Sequence, residues 1–328
     1  MGESFVALHN SSSGSYYNPA TIRSDEEFSI SFNKRYFNWM KQDPDMFYTS
    51  FNSIAKTEIG TFEVFYNKFH MQRMQMTTPT YPEGTGVVNY YDHTFGFAYV
   101  REFASNLSAG LTLKTFNFGW KSVSSIVPIK TSKTTTHPLI VDLGFFFSHS
   151  PFLVSKHSTD NISFGLSFQN FGSDFLIEHK YQKIPRYARI GFSYRFSMNK
   201  IKEEMFSPLK STITLQYCNL LNQYKENSDA VDYWGAGIET TFYEIASIRF
   251  GLYTRPITGI YGVKGNPEFR YGFGIIAPLR KLGIETSFVP SFDYAIIPLS
   301  NQIYLYSDNP ERYLSAFSLE LKYEKDLF

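Results

Sequence analysis

Apolar and polar residues alternate with a period of two along most of this chain of 328 residues. Between 187 and 196, the apolar Ile190, Phe192 and Tyr194 share one parity, while Arg189 and Arg195 share the other. A period of two places successive side chains on opposite faces of a β-strand. A strand with two arginines on one face is not buried on both sides, so the pattern predicts a sheet with one apolar and one polar face.

We predict fourteen strands of this kind, most of them longer than the five or six residues usual in soluble sheets. Their lengths fit a tilted strand that crosses a bilayer in about 9–11 residues. The predicted strands are 26–38, 46–55, 58–70, 91–102, 106–118, 137–149, 160–171, 186–197, 210–221, 232–243, 246–255, 267–278, 281–292 and 313–325.

The composition favours a membrane barrel over a soluble sheet protein. Aromatic residues make up 18% of the chain, yet its mean hydropathy is −0.25, as expected when rings face lipid and polar groups face a lumen. No segment approaches the roughly 20 apolar residues of a spanning helix, so a membrane crossing requires a closed sheet. We therefore predict an all-β, transmembrane, antiparallel up-and-down β-barrel. The alternative, a soluble sandwich or propeller, lacks a repeat at blade spacing.

The connections between predicted strands are short on one side and long on the other. Short periplasmic turns and long extracellular loops are typical of outer-membrane barrels, which predicts the outer membrane of a Gram-negative bacterium. The aromatic- and Asn-rich composition indicates a Bacteroidota-like source. No signal peptide is visible at the start, so we expect a mature form whose leader has been removed. The long connections are 71–90, 119–136, 172–185, 222–231, 256–266 and 293–312.

Several kinds of chemistry find no support in the sequence. Cys218 is the single cysteine, and the seven histidines have no metal-ligand spacing, so we predict no metal site and no cofactor. No nucleophile elbow, phosphate loop or paired-carboxylate signature is present, so we predict a protein that is not an enzyme. A catalytic triad assembled from distant strands remains an open alternative. The net charge of +1 argues against nucleic acid as a partner.

Three motifs resemble the FadL/PorV superfamily of outer-membrane β-barrels. The first is the small-residue stretch 11–20, which ends in Asn18, Pro19 and Ala20. The second is the hairpin of 94–101 and 107–114, which is similar to the PorV type; the third is the Arg-x-Gly start of strands such as 248–253. The resemblance covers the whole chain and is closest to the PorV/PorQ type of the type IX secretion system.

The resemblance implies that residues 1–25 fold inward as a plug and that residues 26–328 form the barrel. Pro19 lacks a backbone donor and fixes φ, and Asn18 can bond to its own backbone in a turn, so the segment turns rather than extending the sheet. Asn18, Pro19 and Ala20 are then plug residues. Two roles remain for these residues: they only seal the lumen, or they act directly in gating or ligand passage.

Charged residues of both signs fall on the predicted inner faces. One interpretation is an ion-selective lumen, and the other is a network of mutual pairs that fills a closed barrel. The near balance of signs favours the network, because unpaired charges in a narrow lumen are costly. Its predicted members are Glu63, Lys114, Asp142, Arg189, Arg195, Glu239, Arg249, Arg270, Glu285, Glu320 and Lys322.

Apolar residues recur in the predicted outer loops, where they are candidate contacts with a partner or a ligand. The alternative is that these loops fold over the mouth of the barrel. The candidates are Met71, Met74, Met76, Phe175, Leu176, Ile177, Tyr304 and Tyr306.

Two functions follow from the resemblance. The first is a non-enzymatic accessory or docking subunit of a secretion or outer-membrane assembly machine, with membrane lipids and a larger outer-membrane protein as partners. The alternative is a FadL-like transporter of small hydrophobic molecules such as fatty acids. Transport needs a lateral opening in the wall, and we expect one where Pro290 interrupts a strand.

Overall fold

The computed structural model describes most of the chain. The described residues are 1, 3–8, 14–22, 27–37, 46–70, 74–78, 81–124, 131–133, 137–150, 158–177, 180–198, 206–222, 232–254, 267–298 and 313–323. Within them, no helix has the length and apolarity needed to cross a bilayer.

Fourteen antiparallel strands form a closed barrel, which confirms the predicted fold class. Each strand pairs with its neighbours in sequence, and the last strand closes the ring on the first. The strands are β1 (Phe28–Phe37), β2 (Phe47–Thr57), β3 (Gly60–His70), β4 (Tyr81–Ala104), β5 (Leu107–Ser124), β6 (Leu139–His149), β7 (Ser158–Gly172), β8 (Tyr187–Met198), β9 (Leu209–Leu220), β10 (Tyr233–Phe242), β11 (Ala246–Thr254), β12 (Glu268–Ile276), β13 (Phe288–Pro298) and β14 (Tyr313–Tyr323).

One strand was misplaced by the sequence prediction. We predicted 281–292, but β13 spans Phe288–Pro298. The preceding residues Leu279–Leu282 form a 3-10 helix, which ends at Gly283 with a φ of 86°. A left-handed residue suits glycine and stops a helical turn. The start of β13 is therefore displaced toward the C-terminus.

The outer connections carry more strand than we predicted. β4 and β5 are the longest strands, and their outer ends pair with two short strands, Met74–Thr78 and Thr131–Lys133. A separate hairpin pairs Phe175–Ile177 with Lys180–Gln182. The predicted loops 71–90, 119–136 and 172–185 thus contain extended, paired backbone.

The wall separates apolar from polar side chains as the alternation predicts. On β8, Ile190 is 58% exposed on the outer face, whereas Arg189 is 6% exposed on the inner face. Exposed Phe, Leu and Ile residues recur around the outside, while buried Ser, Thr, Asn and Gln line the inside. This arrangement is the inverse of a soluble protein and suits a wall that faces lipid.

Candidate functional site

Residues 1, 3–8 and 14–22, here called the N-terminal segment, run along the inner wall of the barrel. Gly14–Tyr17 forms one helical turn, and Pro19–Thr21 forms a 3-10 turn. Asn18 caps the second turn, because its Oδ1 accepts a hydrogen bond from the Ala20 N–H at 3.1 Å. Pro19 follows as the first residue of that turn, where its missing N–H costs nothing.

A line of inward-facing glycines makes room for the N-terminal segment. These glycines lie on strands β5, β6, β7, β8 and β10, and we call them the glycine groove. A Cβ on Gly144 would lie 2.0 Å from Asn18 Oδ1, and a Cβ on Gly165 would lie 1.9 Å from the Val6 carbonyl oxygen. The segment therefore approaches the wall more closely than any side chain permits. The groove consists of Gly110, Gly144, Gly165, Gly191 and Gly237.

Asn18 is the central polar contact between the N-terminal segment and the wall. It is fully buried, and its Nδ2 donates to the carbonyl oxygens of Val6 at 2.8 Å and Phe145 at 3.0 Å. One amide thus joins two parts of the segment to β6. Because buried amide groups must be paired, these bonds fix the path of the chain.

Other wall side chains satisfy the backbone of the N-terminal segment, which has no regular ladder of its own. Gln216 Oε1 accepts the N–H groups of Phe5 and Val6 at 3.1 and 3.0 Å. Hydroxyl and amide groups donate to its carbonyl oxygens, which would otherwise be unpaired in a dry environment. The donors and acceptors are Ser108 to Ala20 at 3.0 Å, Ser167 to Tyr17 at 2.6 Å, Gln169 to Tyr16 at 2.9 Å and Ser193 to Ala7 at 2.9 Å.

A charged contact anchors the start of the N-terminal segment. The Glu3 carboxylate accepts hydrogen bonds from Arg270 on β12 and from the Tyr17 hydroxyl. The Arg270 guanidinium also stacks over the Tyr253 ring, with 4.5 Å between its central carbon and the ring centroid. Glu3 was not among the predicted site residues, since nothing in its local sequence indicates a partner 267 positions away.

This anchor predicts acid-dependent release of the N-terminal segment. Burial alone would raise the pKa of Glu3, but the guanidinium groups of Arg270 and Arg35 and the Tyr17 hydroxyl lower it from 4.5 to about 2. The lowered pKa means that docking is strongest above about pH 4.5 and weakens as the pH falls toward 2. Hydrogen-exchange protection of residues 3–8 should therefore be constant at neutral pH and decline below about pH 4.5. A Glu3→Gln variant should lack most of this decline; an unchanged profile would contradict the assignment.

The predicted inner charges form pairs at several places. Lys114 Nζ lies 2.6 Å from Asp142 Oδ2, and Asp142 also accepts the Asn170 N–H at 2.7 Å. Arg249 bridges Glu239 and Asp293, the latter absent from the prediction. On β14, Lys322 Nζ lies 3.9 Å from Glu320 Oε2.

Three other predicted members have different surroundings. Arg189 is buried, donates to the Tyr233 hydroxyl at 3.3 Å and lies 5.8 Å from the Tyr17 ring centroid. Arg195 lines the inner wall nearer the short-turn end of β8. Glu63 is buried on β3 beside Ile54, and within the described residues it forms no ion pair.

Glu285 was wrongly assigned to the inner face. It lies between the 3-10 helix and β13, outside any strand, and its side chain is exposed. The alternation that placed it inside the lumen belongs to a connection rather than to the wall.

The predicted outer contacts are only partly described. Met71, Tyr304 and Tyr306 lie outside the described residues. Met74 and Met76 lie on the short strand that pairs with β4, and Phe175, Leu176 and Ile177 lie on the outer hairpin. Their contact with a partner or ligand stays a prediction.

A cavity of about 1120 Å³ lies between the N-terminal segment and the opposite wall. Glu3, Phe5 and Tyr17 border it on one side. On the other side it follows β13 from Val289 to Ile297, a distance of about 27 Å at about 3.4 Å per residue. The segment therefore occupies one side of the lumen and leaves space along the other.

The wall beside this cavity has an interrupted hydrogen-bond ladder. Pairing of β12 with β13 ends at Tyr271 and Ile296, although both strands continue outward. In the same register Pro298 would donate to Phe269, but proline has no N–H. The neighbouring ladders, β11 with β12 and β13 with β14, continue to the ends of these strands.

The expected opening at Pro290 is wrong. Pro290 pairs with Leu321 in an unbroken register with β14, and its carbonyl oxygen accepts the Ala277 N–H at 2.9 Å. The interruption lies at Pro298, eight residues further on. Pro290 and Pro298 have the same parity on β13, so the backbone N–H that each proline lacks would face β12.

Neither the glycine groove nor a break at Pro298 was predicted from the sequence. Glycines at inward parity on consecutive strands were a usable signal, since glycine weakens a strand and often marks a close backbone approach. Pro298 was placed in a loop, because β13 was predicted to end at residue 292.

These features define the class of protein. A closed barrel with an apolar outer face, a polar inner face and fourteen strands is an outer-membrane β-barrel, and this fold indicates a Gram-negative outer membrane.

Solved structures support the same class. The chain matches the Pseudomonas putida toluene transporter TodX with 8% identity and a TM-score of 0.52, covering 99% of this chain and 97% of that one. It also matches the CymD monoaromatic hydrocarbon channel with 9% identity and a TM-score of 0.47, covering 98% of this chain and 95% of that one. A Pseudomonas aeruginosa FadL homologue matches with 9% identity and a TM-score of 0.42, covering 98% of this chain and 96% of that one. The TodX likeness shows that this chain shares the fold of that transporter. No family model and no curated protein matches the chain.

Proposed function

We propose that this barrel is a FadL-like transporter that admits small hydrophobic molecules across the outer membrane. The observation that carries this proposal is the cavity that reaches the interrupted ladder between β12 and β13. Arg270 and Ile297 lie at that position, on the two strands whose pairing stops, and both line the cavity. In this proposal a hydrophobic molecule leaves the lumen toward the lipid at this position.

The fold neighbours point in the same direction. TodX is described as a toluene transporter and CymD as a monoaromatic hydrocarbon channel. The low identity restricts this support to the fold, so the proposal rests on the cavity and on the end of the pairing between β12 and β13 beside it. Nothing in these comparisons supports the accessory role in type IX secretion, and that hypothesis has no structural observation of its own here.

In this proposal the N-terminal segment acts as the plug. Its bonds to β5–β9 hold it against one side of the lumen and exclude a wide aqueous pore. The paired charges along the inner wall serve the same end, since paired groups leave few sites for a free ion.

Restoring the backbone N–H that is absent at Pro298 is expected to reduce transport. A Pro298→Ala variant supplies an N–H to β12 and extends the ladder by one hydrogen bond, whose net value is about 0.5–1.5 kcal/mol. Uptake of labelled oleate or toluene by cells that lack other hydrophobic-molecule barrels should then fall roughly twofold to tenfold.

The matched control is Pro290→Ala, which also adds a backbone N–H facing β12, but near the short-turn end of β13. Its uptake should equal that of the original chain. If neither probe enters faster with the original chain than without it, the transport proposal is wrong. Equal uptake by the Pro290→Ala and Pro298→Ala variants would reject the exit at Pro298 but not the transport proposal itself.

A further inference from the structure

A row of basic residues crosses the outer face of the barrel near its long-loop end. The pairing register places Lys34, Thr49, Lys68 and His93 opposite one another on β1, β2, β3 and β4. All four have outward parity, shared with exposed Phe32, Phe51, Tyr66 and Phe95 on the same strands. We call Lys34, Lys68 and His93 the basic row. Neighbouring strands lie about 4.8 Å apart, so Lys34 and Lys68 are separated by about 10 Å.

The basic row lies directly outside an aromatic belt. Two residues nearer the short turns, each strand exposes a ring to lipid: Phe32, Phe51, Tyr66 and Phe95. Aromatic girdles mark the depth where the hydrocarbon ends and the headgroups begin. The basic row is therefore at the headgroup level on the long-loop side, which is the outer leaflet.

Neighbouring aromatic residues hold the basic side chains in this position. Lys34 Nζ lies 4.5 Å from the Tyr36 ring centroid and 3.9 Å from the Phe47 ring centroid. His93 Nδ1 bonds to the Tyr66 hydroxyl, and Lys68 is its neighbour on β3. Within the described residues, neither Lys34 nor Lys68 forms an ion pair with a carboxylate.

We propose that the basic row binds the phosphate groups of a phosphorylated glycolipid, of the lipid A type, in the outer leaflet. Ammonium groups at headgroup depth attract lipid phosphates, and the adjoining rings pack against acyl chains. Charge complementarity selects this occupant, because the described positions of the row carry no acidic side chain. The site lies on the outside of the wall and does not depend on the proposed transport.

The test is lipid retention by the purified full chain in mild detergent, measured by native mass spectrometry with added lipid A. Each basic side chain near an anionic surface contributes enough that removing two should weaken binding about thirtyfold. We therefore expect Lys34→Ala combined with Lys68→Ala to lose most bound lipid A. Lipid A stripped of its phosphates should bind the original chain as weakly as the double variant binds the intact lipid.

The matched control is Lys56→Ala combined with Arg101→Ala, which removes two exposed basic groups at the short-turn ends of β2 and β4. This control should retain lipid A fully. Heat-dependent migration on gels verifies that each variant is a folded barrel. Equal retention by the two double variants, or equal binding of phosphorylated and dephosphorylated lipid, would overturn the proposal.

Discussion

Replacing Gly144 and Gly165 together with alanine is expected to release the N-terminal segment from the wall. Each new Cβ would meet the segment at 1.9–2.0 Å, and the contact at Gly165 is with the backbone of Val6, which no rotamer change relieves. Overpacking of this kind costs about 1–3 kcal/mol per site. The two together should shift the docking equilibrium by roughly thirtyfold or more. The freed lumen should then conduct ions.

Single-channel recording in planar bilayers measures this result directly. The double variant should show larger and more frequent openings than the original chain. Gly272→Ala is the matched control, because Gly272 faces the lumen on β12 and its nearest neighbour is the Tyr294 carbonyl oxygen at 3.0 Å, in the wall itself. Conductance of the double variant no larger than that of this control would show that the segment stays docked or does not obstruct the lumen.

Asn18→Ala should release the N-terminal segment without introducing a steric clash. The variant leaves the carbonyl oxygens of Val6 and Phe145 and the N–H of Ala20 without their side-chain partner. Loss of the cap and of buried hydrogen bonds is worth about 2–4 kcal/mol. Backbone amides of residues 5–8 and 14–21 should exchange at least tenfold faster in the variant.

The control for this variant lies two residues away. Tyr16 is 59% exposed, and only its carbonyl oxygen bonds to the wall, so Tyr16→Ala should leave exchange nearly unchanged. Protection in Asn18→Ala equal to that in Tyr16→Ala would show that the glycine groove alone positions the segment. Exchange that rises across β5–β9 as well would indicate loss of the barrel rather than of docking.

The sequence predicted the barrel well because each strand has two different solvents. Lipid on one face and a polar lumen on the other impose the period of two, which is visible within a single strand such as β8. The error at 281–292 has the same origin. A 3-10 turn followed by an extended connection also alternates, so periodicity did not locate the start of β13 or exclude Glu285 from the lumen.

The site was less predictable because its contacts join distant parts of the chain. Asn18 and Pro19 were recognised from a local turn, but their seat at Gly144 depends on a wall more than a hundred residues away. The sequence contains the glycines without showing which segment they accommodate. Arg249 was expected to pair, whereas its second partner, Asp293, had been placed in a loop.

The glycine groove also bears on the order of assembly. Hydrogen bonds from the N-terminal segment to the wall join residues far apart in the chain: Ala20 and Ser108 are 88 positions apart, and Glu3 and Arg270 are 267 positions apart. Contacts of such long range form late, because their loop-closure entropy is recovered only after the intervening strands are paired. The N-terminal segment therefore reaches its place after the strands of the wall have paired. Their docking marks a barrel that has already closed.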